Sequence, residues 1–149
     1  MSENKTYKRI QKLPTGINGF DLIAEGGLPK KRTTLVAGTA GSGKTIFAAQ
    51  FLAEGIKQKQ EPGVFVTFEE SAQDIRRNII SLGWDVAKWE KEGKWAFVDA
   101  SPQISKETIV AGEYDLGALM ARIENAVHTL GAARVSMDSL GAVFSQFQN

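Results

Sequence analysis

Residues Thr33 to Thr45 read TTLVAGTAGSGKT, an apolar, β-prone run that opens into a glycine-rich turn closing on Lys-Thr. Gly38, Gly43, Lys44 and Thr45 fit the spacing G-x-x-x-x-G-K-[ST] of a phosphate-binding loop. The context that motif requires is present, with a strand-like segment before it and a helical pattern after it. Gly41 and Gly43 supply backbone conformations closed to other residues, so that successive N–H groups turn inward toward phosphate oxygens. The helix beginning near Lys44 adds its positive end. Lys44 would reach the β- and γ-phosphates, and the Thr45 hydroxyl would hold Mg²⁺, an ion bound largely through water, phosphates and few protein ligands. The expected nucleotide contacts are Gly38, Thr39, Gly41, Ser42, Gly43, Lys44, Thr45 and Ile46. A chance glycine turn is the competing explanation. With Gly at about 7% of average sequence, the four fixed positions match by accident on the order of once in a few hundred chains of this length, and the correct flanks lower that further.

The rest of the composition narrows the class. The 149 residues are 42% hydrophobic and 23% charged, which suits a soluble domain with a real core. A formal net charge of +1 offers no global electrostatic case for nucleic acid or membrane surfaces. The absence of cysteine removes thiolate catalysis, thiolate metal sites and disulfides. No stretch approaches the ~20 apolar residues of a membrane span, and the first twelve residues, MSENKTYKRIQK, lack an apolar signal core. A cytoplasmic protein is expected.

Along the chain, residues 1–9 are polar and read as a flexible tail. Apolar residues among the turn formers of Ile10–Leu28 predict a short helix between turns, and Lys30, Lys31 and Arg32 form a solvated basic turn. Thr33–Gly38 is the first expected strand of the main sheet. Phe47, Ala48, Phe51, Leu52 and Ile56 recur at helical spacing after the loop. Val64–Phe68 is apolar almost throughout, as in a parallel strand covered on both faces. Ile75, Ile79 and Leu82 mark a helix ended by Gly83, and Asp85–Glu92 a short helix ended by Gly93. Trp95–Asp99 is a third strand, and residues 103–113 read as a loop. Leu116, Leu119, Ile123, Val127 and Leu130 form the longest helical stripe, closed by Gly131. Arg134–Asp138 is the fourth strand. Strands alternating with helices specify an α/β fold with a mainly parallel sheet and helices on both faces.

Two acidic features fall where such a sheet binds ligands, outside the carboxyl ends of its strands. Glu69 and Glu70 follow Val64–Phe68. A carboxylate there can orient water and accept its proton during in-line attack on the γ-phosphorus, but an acidic first helical turn behind a Ser71 cap is an equally simple reading. Asp138 ends its strand where it can organise Mg²⁺ through a water. His128 beside the long helical stripe has no partner nearby in sequence and reads as a bystander. Trp84 reads as packing, although it could stack on a base.

The chain resembles the KaiC family of RecA-fold ATPases over about residues 10–147. The residues that carry the resemblance are Thr15-Gly16-Ile17, Gly19-Phe20-Asp21, Gly26-Gly27-Leu28-Pro29 and the loop Gly38–Thr45. Further along they are Glu61–Glu70 (EPGVFVTFEE), Ser81-Leu82-Gly83-Trp84-Asp85, Asp99-Ala100-Ser101-Pro102 and Val135-Ser136-Met137-Asp138-Ser139. The resemblance implies a homohexameric ring with ATP bound between neighbouring subunits, and clock-type regulatory proteins as partners. It implies two such domains in one chain, the second also a Ser/Thr autokinase, and this sequence is more similar to the first. It makes Glu69 the proton acceptor with Glu70 beside it and brings Ser81 to the nucleotide. It also implies that residues 10–149 are an incomplete RecA-like domain, continued past Asn149 by about a hundred residues. In the RecA-type strand order, Thr33–Gly38 lies between Val135–Asp138 and one of those later strands.

The expected function is ATP binding and hydrolysis as part of a KaiC-like ring ATPase. Two rivals share the loop. A DNA-dependent recombination ATPase has the same fold but needs a basic, aromatic strand-binding loop that is not visible here. A non-catalytic assembly module would use ATP as glue between subunits.

Overall fold

The structure, a computed structural model, describes residues 9–100 and 116–141. The expected flexible tail, apart from Arg9, and the loop at 103–113 lie outside the described residues. Among the described residues, ten elements follow in chain order: β1 (Lys12–Leu13), α1 (Asn18–Ile23), β2 (Leu28–Pro29), α2 (Lys44–Lys59), β3 (Gly63–Thr67), α3 (Ala72–Ile80), α4 (Val86–Lys91), β4 (Trp95–Asp99), α5 (Leu116–Leu130) and β5 (Arg134–Asp138).

The main sheet is three parallel strands in the order β4-β3-β5. All five residues of β3 are buried, which is why it carries no polar alternation. The period of two divides its side chains between two cores. Phe65 faces Leu52 and Ile56 of α2, Ile75 and Ile79 of α3, Val86 of α4 and Trp95 of β4. Val64, Val66 and Phe68 face Val98 of β4 and Leu119 and Ile123 of α5. The result is a three-layer α/β fold consistent with a RecA-like ATPase. Trp84, a candidate for base stacking, packs half-buried against the first of these cores. On the surface of that layer, Arg76 of α3 meets Glu90 of α4 through two 2.7 Å hydrogen bonds and lies 5.1 Å over the Phe97 ring. The Glu90 carboxylate thereby holds the guanidinium pKa above its already high value.

A second feature secures the segment before the loop. Lys12–Leu13 and Leu28–Pro29 form a small antiparallel ladder, and the Asp21 carboxylate accepts hydrogen bonds from Thr15 N, Thr15 Oγ1 and Gly16 N at 2.8–3.0 Å. Gln50 of α2 donates to the Gly16 carbonyl at 2.7 Å. Arg134, at the start of β5 and buried, donates to the Pro14 and Phe51 carbonyls at 2.8 Å each and to Glu61 at 2.9 Å.

One expected element is corrected. Thr33–Gly38 forms no strand: it carries no ladder to β5 or to any other described strand, and Leu35 is 77% exposed. A β-prone run becomes a strand only where neighbours pair its backbone and cover its side chains. Here β5 pairs with β3 alone among the described strands. A smaller correction concerns Leu82, which lies past the end of α3 and is 45% exposed rather than on a buried helical face.

Candidate functional site

The loop between Gly38 and Thr45 closes on itself before α2 begins. Gly41 and Gly43 have φ of +76° and +86°, the left-handed region where glycine is unstrained. Gly38 gives room of another kind, because a Cβ there would lie 2.4 Å from Ser42 Oγ and that hydroxyl would have to turn away. Ser42 N donates to Thr39 O at 3.2 Å, and Lys44 Nζ donates to the Gly38 and Thr39 carbonyls at 2.9 Å each. The ammonium is thus folded back onto the loop by two exposed carbonyl acceptors. Gly43 is the N-cap of the sixteen-residue helix α2, and no side chain caps it. Its first-turn N–H groups and its dipole therefore point at the same space as Lys44.

Topology then brings distant carboxylates to the loop. Because β3 and β5 are parallel, with Thr67 opposite Asp138, both strands end at the same edge as the start of α2. Thr45 Oγ1 donates a short hydrogen bond to Asp138 Oδ2. Two hard oxygen groups 93 positions apart in sequence thereby meet next to Lys44. Beyond β3 the chain turns through Glu69 and Glu70 into α3. This turn is secured at both ends: Thr67 Oγ1 donates to the Glu70 carbonyl at 2.6 Å, and Asp99, at the end of β4, accepts from Ala72 N at 2.6 Å. Ser71 caps α3 as expected, accepting from Asp74 N. Ser139 donates a short hydrogen bond to Glu69 Oε1.

A cleft of about 420 Å³ lies between the loop and α3. Gly41, Gly43, Lys44, Thr45 and Ile46 line it from the loop side, and Glu70, Asn78 and Ser81 from the other. Ser81 is therefore brought to the loop, although 36 positions separate it from Thr45. Glu69, bonded to Ser139, and Asp138, bonded to Thr45, are not on its lining. His128 is exposed on α5 and takes no part. Among the described residues, no group of three or more His, Asp or Glu side chains converges to hold a metal, and no helix is long and apolar enough to cross a membrane.

Two lining or contacting residues carry no role in the reading of the sequence. Asn78 sits one helical turn before Ser81 on the side of α3 that faces the loop, with Nδ2 3.5 Å from Glu70 Oε2. The i, i+3 spacing to Ser81 is the signal that would have found it. Ser139 has no such signal, because its partner Glu69 is 70 positions away.

Known proteins place this arrangement. The family model described as "ATPase: KaiC" matches residues 13–149. Among curated proteins, the chain is 62% identical over 140 residues to the circadian clock protein KaiC3 of a Synechocystis strain, covering 94% of this chain and 28% of that protein. It is 53% identical to the circadian clock oscillator protein KaiC of Thermostichus vulcanus, covering 93% and 26% of the two chains. It is 51% identical to that of Synechococcus elongatus, covering 98% and 28%. The chain thus spans little more than a quarter of the length of these relatives. With a parallel sheet, a phosphate-binding loop at its edge and these similarities along almost all its length, the chain belongs to the KaiC family of ATPases.

Proposed function

We propose that this chain binds ATP with Mg²⁺ and contributes the residues that hydrolyse it. The observation that supports this best is the contact of Thr45 with Asp138 beside a cleft shared by Lys44 and Glu70. A hydroxyl and one carboxylate are the sparse, hard-oxygen set that Mg²⁺ takes from protein when phosphates and water complete its shell. The donors of the loop, Lys44 and the α2 terminus suit the β- and γ-phosphates, with Gly38, Thr39, Gly41, Ser42, Gly43 and Ile46 around them and Ser81 against the nucleotide from α3. Mg²⁺ held by Thr45 and Asp138 would neutralise charge on the phosphates. Glu69, with Glu70 beside it, orients a water and accepts its proton as the oxygen bonds to the γ-phosphorus. The bond from that phosphorus to the β,γ-bridging oxygen breaks, and ADP leaves. Residues 10–149 would then be the first part of a RecA-like domain of a cytoplasmic, homohexameric ring. A second domain with Ser/Thr autokinase activity and clock-type regulatory partners complete the reading, which is supported by the likeness to the clock proteins.

The test is the double substitution Glu69→Gln with Glu70→Gln in the full natural chain. ATP should bind with unchanged affinity while hydrolysis falls about 10²-fold or more, the scale of a lost general base. Turnover at the unsubstituted rate would reduce the pair to an acidic helix start.

A further inference from the structure

We infer that Ser139 is a positioning residue for the Glu69 carboxylate, an inference that rests on the reading of Glu69 as proton acceptor. The side chain of Glu69 leaves the β3–α3 turn with several rotatable bonds, and the two anchors of that turn, Thr67 and Asp99, hold only its backbone. Asn78 reaches Glu70, not Glu69. Among the described residues, the hydrogen bond to the Glu69 head group comes from the hydroxyl of Ser139, which donates to Oε1. With Oε1 engaged, Oε2 is left to accept a proton, and the orientations open to this exposed carboxylate are narrowed.

The position of Ser139 in the chain gives this contact a second consequence. Its neighbour Asp138 accepts from Thr45 at the metal end of the site, and the Asp138 carbonyl accepts from Phe68 N at 2.9 Å, directly before Glu69. Two consecutive residues at the end of β5 therefore hold Thr45 on one side and Glu69 on the other. The metal-organising hydroxyl and the base are thereby hydrogen-bonded to one dipeptide. A hydrogen bond to a charged group contributes more than one between neutral groups, and misplacing a reacting group by about 1 Å can slow a reaction by about 10²-fold. Loss of the Ser139 hydroxyl should act on the chemical step and leave nucleotide binding alone.

The experiment uses the full natural chain and four variants: Ser139→Ala, Ser139→Thr, Glu69→Gln and Ser139→Ala with Glu69→Gln. For each, the dissociation constant of a fluorescent ATP analogue, the single-turnover hydrolysis rate and the melting temperature are measured. Ser139→Ala should hydrolyse ATP roughly tenfold or more slowly with affinity and melting temperature unchanged, and Ser139→Thr, which keeps the hydroxyl, should restore most of the rate. In the Glu69→Gln background, Ser139→Ala should cause no further loss, because the carboxylate on which it acts is gone. A full additional loss in the double variant, or failure of Ser139→Thr to restore the rate, would overturn the positioning role while leaving Glu69 as the base. A weakened affinity at unchanged rate would do the same. An unimpaired Glu69→Gln would instead overturn the base assignment and this inference with it.

Discussion

Lys44 illustrates how much of the site is written in single side chains. Its ammonium bonds two loop carbonyls at 2.9 Å, and in the proposed complex the β- and γ-phosphates take their place. No other cationic side chain lines the cleft among the described residues. Lys44→Ala is therefore expected to abolish detectable ATP binding, since backbone N–H groups alone must then face the whole phosphate charge. Titration of a fluorescent ATP analogue measures this, and an unchanged dissociation constant would remove Lys44 from the site. Gly38 makes a related point about shape: the clash a Cβ would make with Ser42 Oγ is a property of the folded loop, although the motif identifies the position without it.

Among the elements, β5 carries the largest share of the long-range organisation. Its amino end holds Arg134, whose guanidinium lies 4.7 Å over the Phe51 ring and joins α2, Glu61 and the Pro14 carbonyl. Its carboxyl end holds Asp138 and Ser139 in the site. Gly55 lets α2 lie this close, because a Cβ there would meet Arg134 Nε at 2.5 Å. Removing one partner of a buried ion pair is far costlier than losing a surface pair, about 3–5 kcal/mol, since the remaining group keeps its desolvation cost. Arg134→Ala is expected to destabilise the fold by about 3 kcal/mol, with a smaller loss for Glu61→Gln because the guanidinium then keeps its bonds to the Pro14 and Phe51 carbonyls and glutamine still offers it an oxygen. Urea unfolding followed by tryptophan fluorescence distinguishes the two. Equal and small losses would show that Arg134 is an ordinary surface-type cation that happens to be covered.

For the whole molecule, the decisive feature is what the sheet leaves uncovered. Helix α5 lies over β3 and β4, and on that face of β5 Val135 and Met137 are 39% and 41% exposed. Leu35 and Val36 of the unpaired segment are 77% and 41% exposed. A free strand edge with apolar side chains invites pairing with another chain. The 149 residues by themselves are expected to self-associate with rising concentration and to show no ATP hydrolysis, and Leu35→Lys with Met137→Lys is expected to reduce the association. Size-exclusion chromatography with light scattering decides it. A monodisperse species at every concentration, with a cooperative melt and measurable hydrolysis, would contradict the prediction.

What the sequence by itself determined is what depends on near neighbours. The phosphate loop, the starts of α2, α3 and α4, the ends of α4 and α5, the burial of β3 and the bounds of β4 and β5 follow from periodicity, glycine positions and caps, all of which act within a few residues, whereas α2 runs on to Lys59 through an expected turn and α3 stops at Ile80, before Gly83. The role proposed for Asp138 rests on inference from the loop, because an apolar run ending in Asp is common. Only the tertiary structure decided which strands pair, and with that the contacts of Thr45 with Asp138 and of Glu69 with Ser139 across 93 and 70 positions. It also decided that Thr33–Gly38 is not a strand. Both outcomes have one physical cause: strand pairing is an interaction between segments, so a segment's own residues specify its readiness to pair, while the partner and the burial that partner supplies come from the rest of the fold.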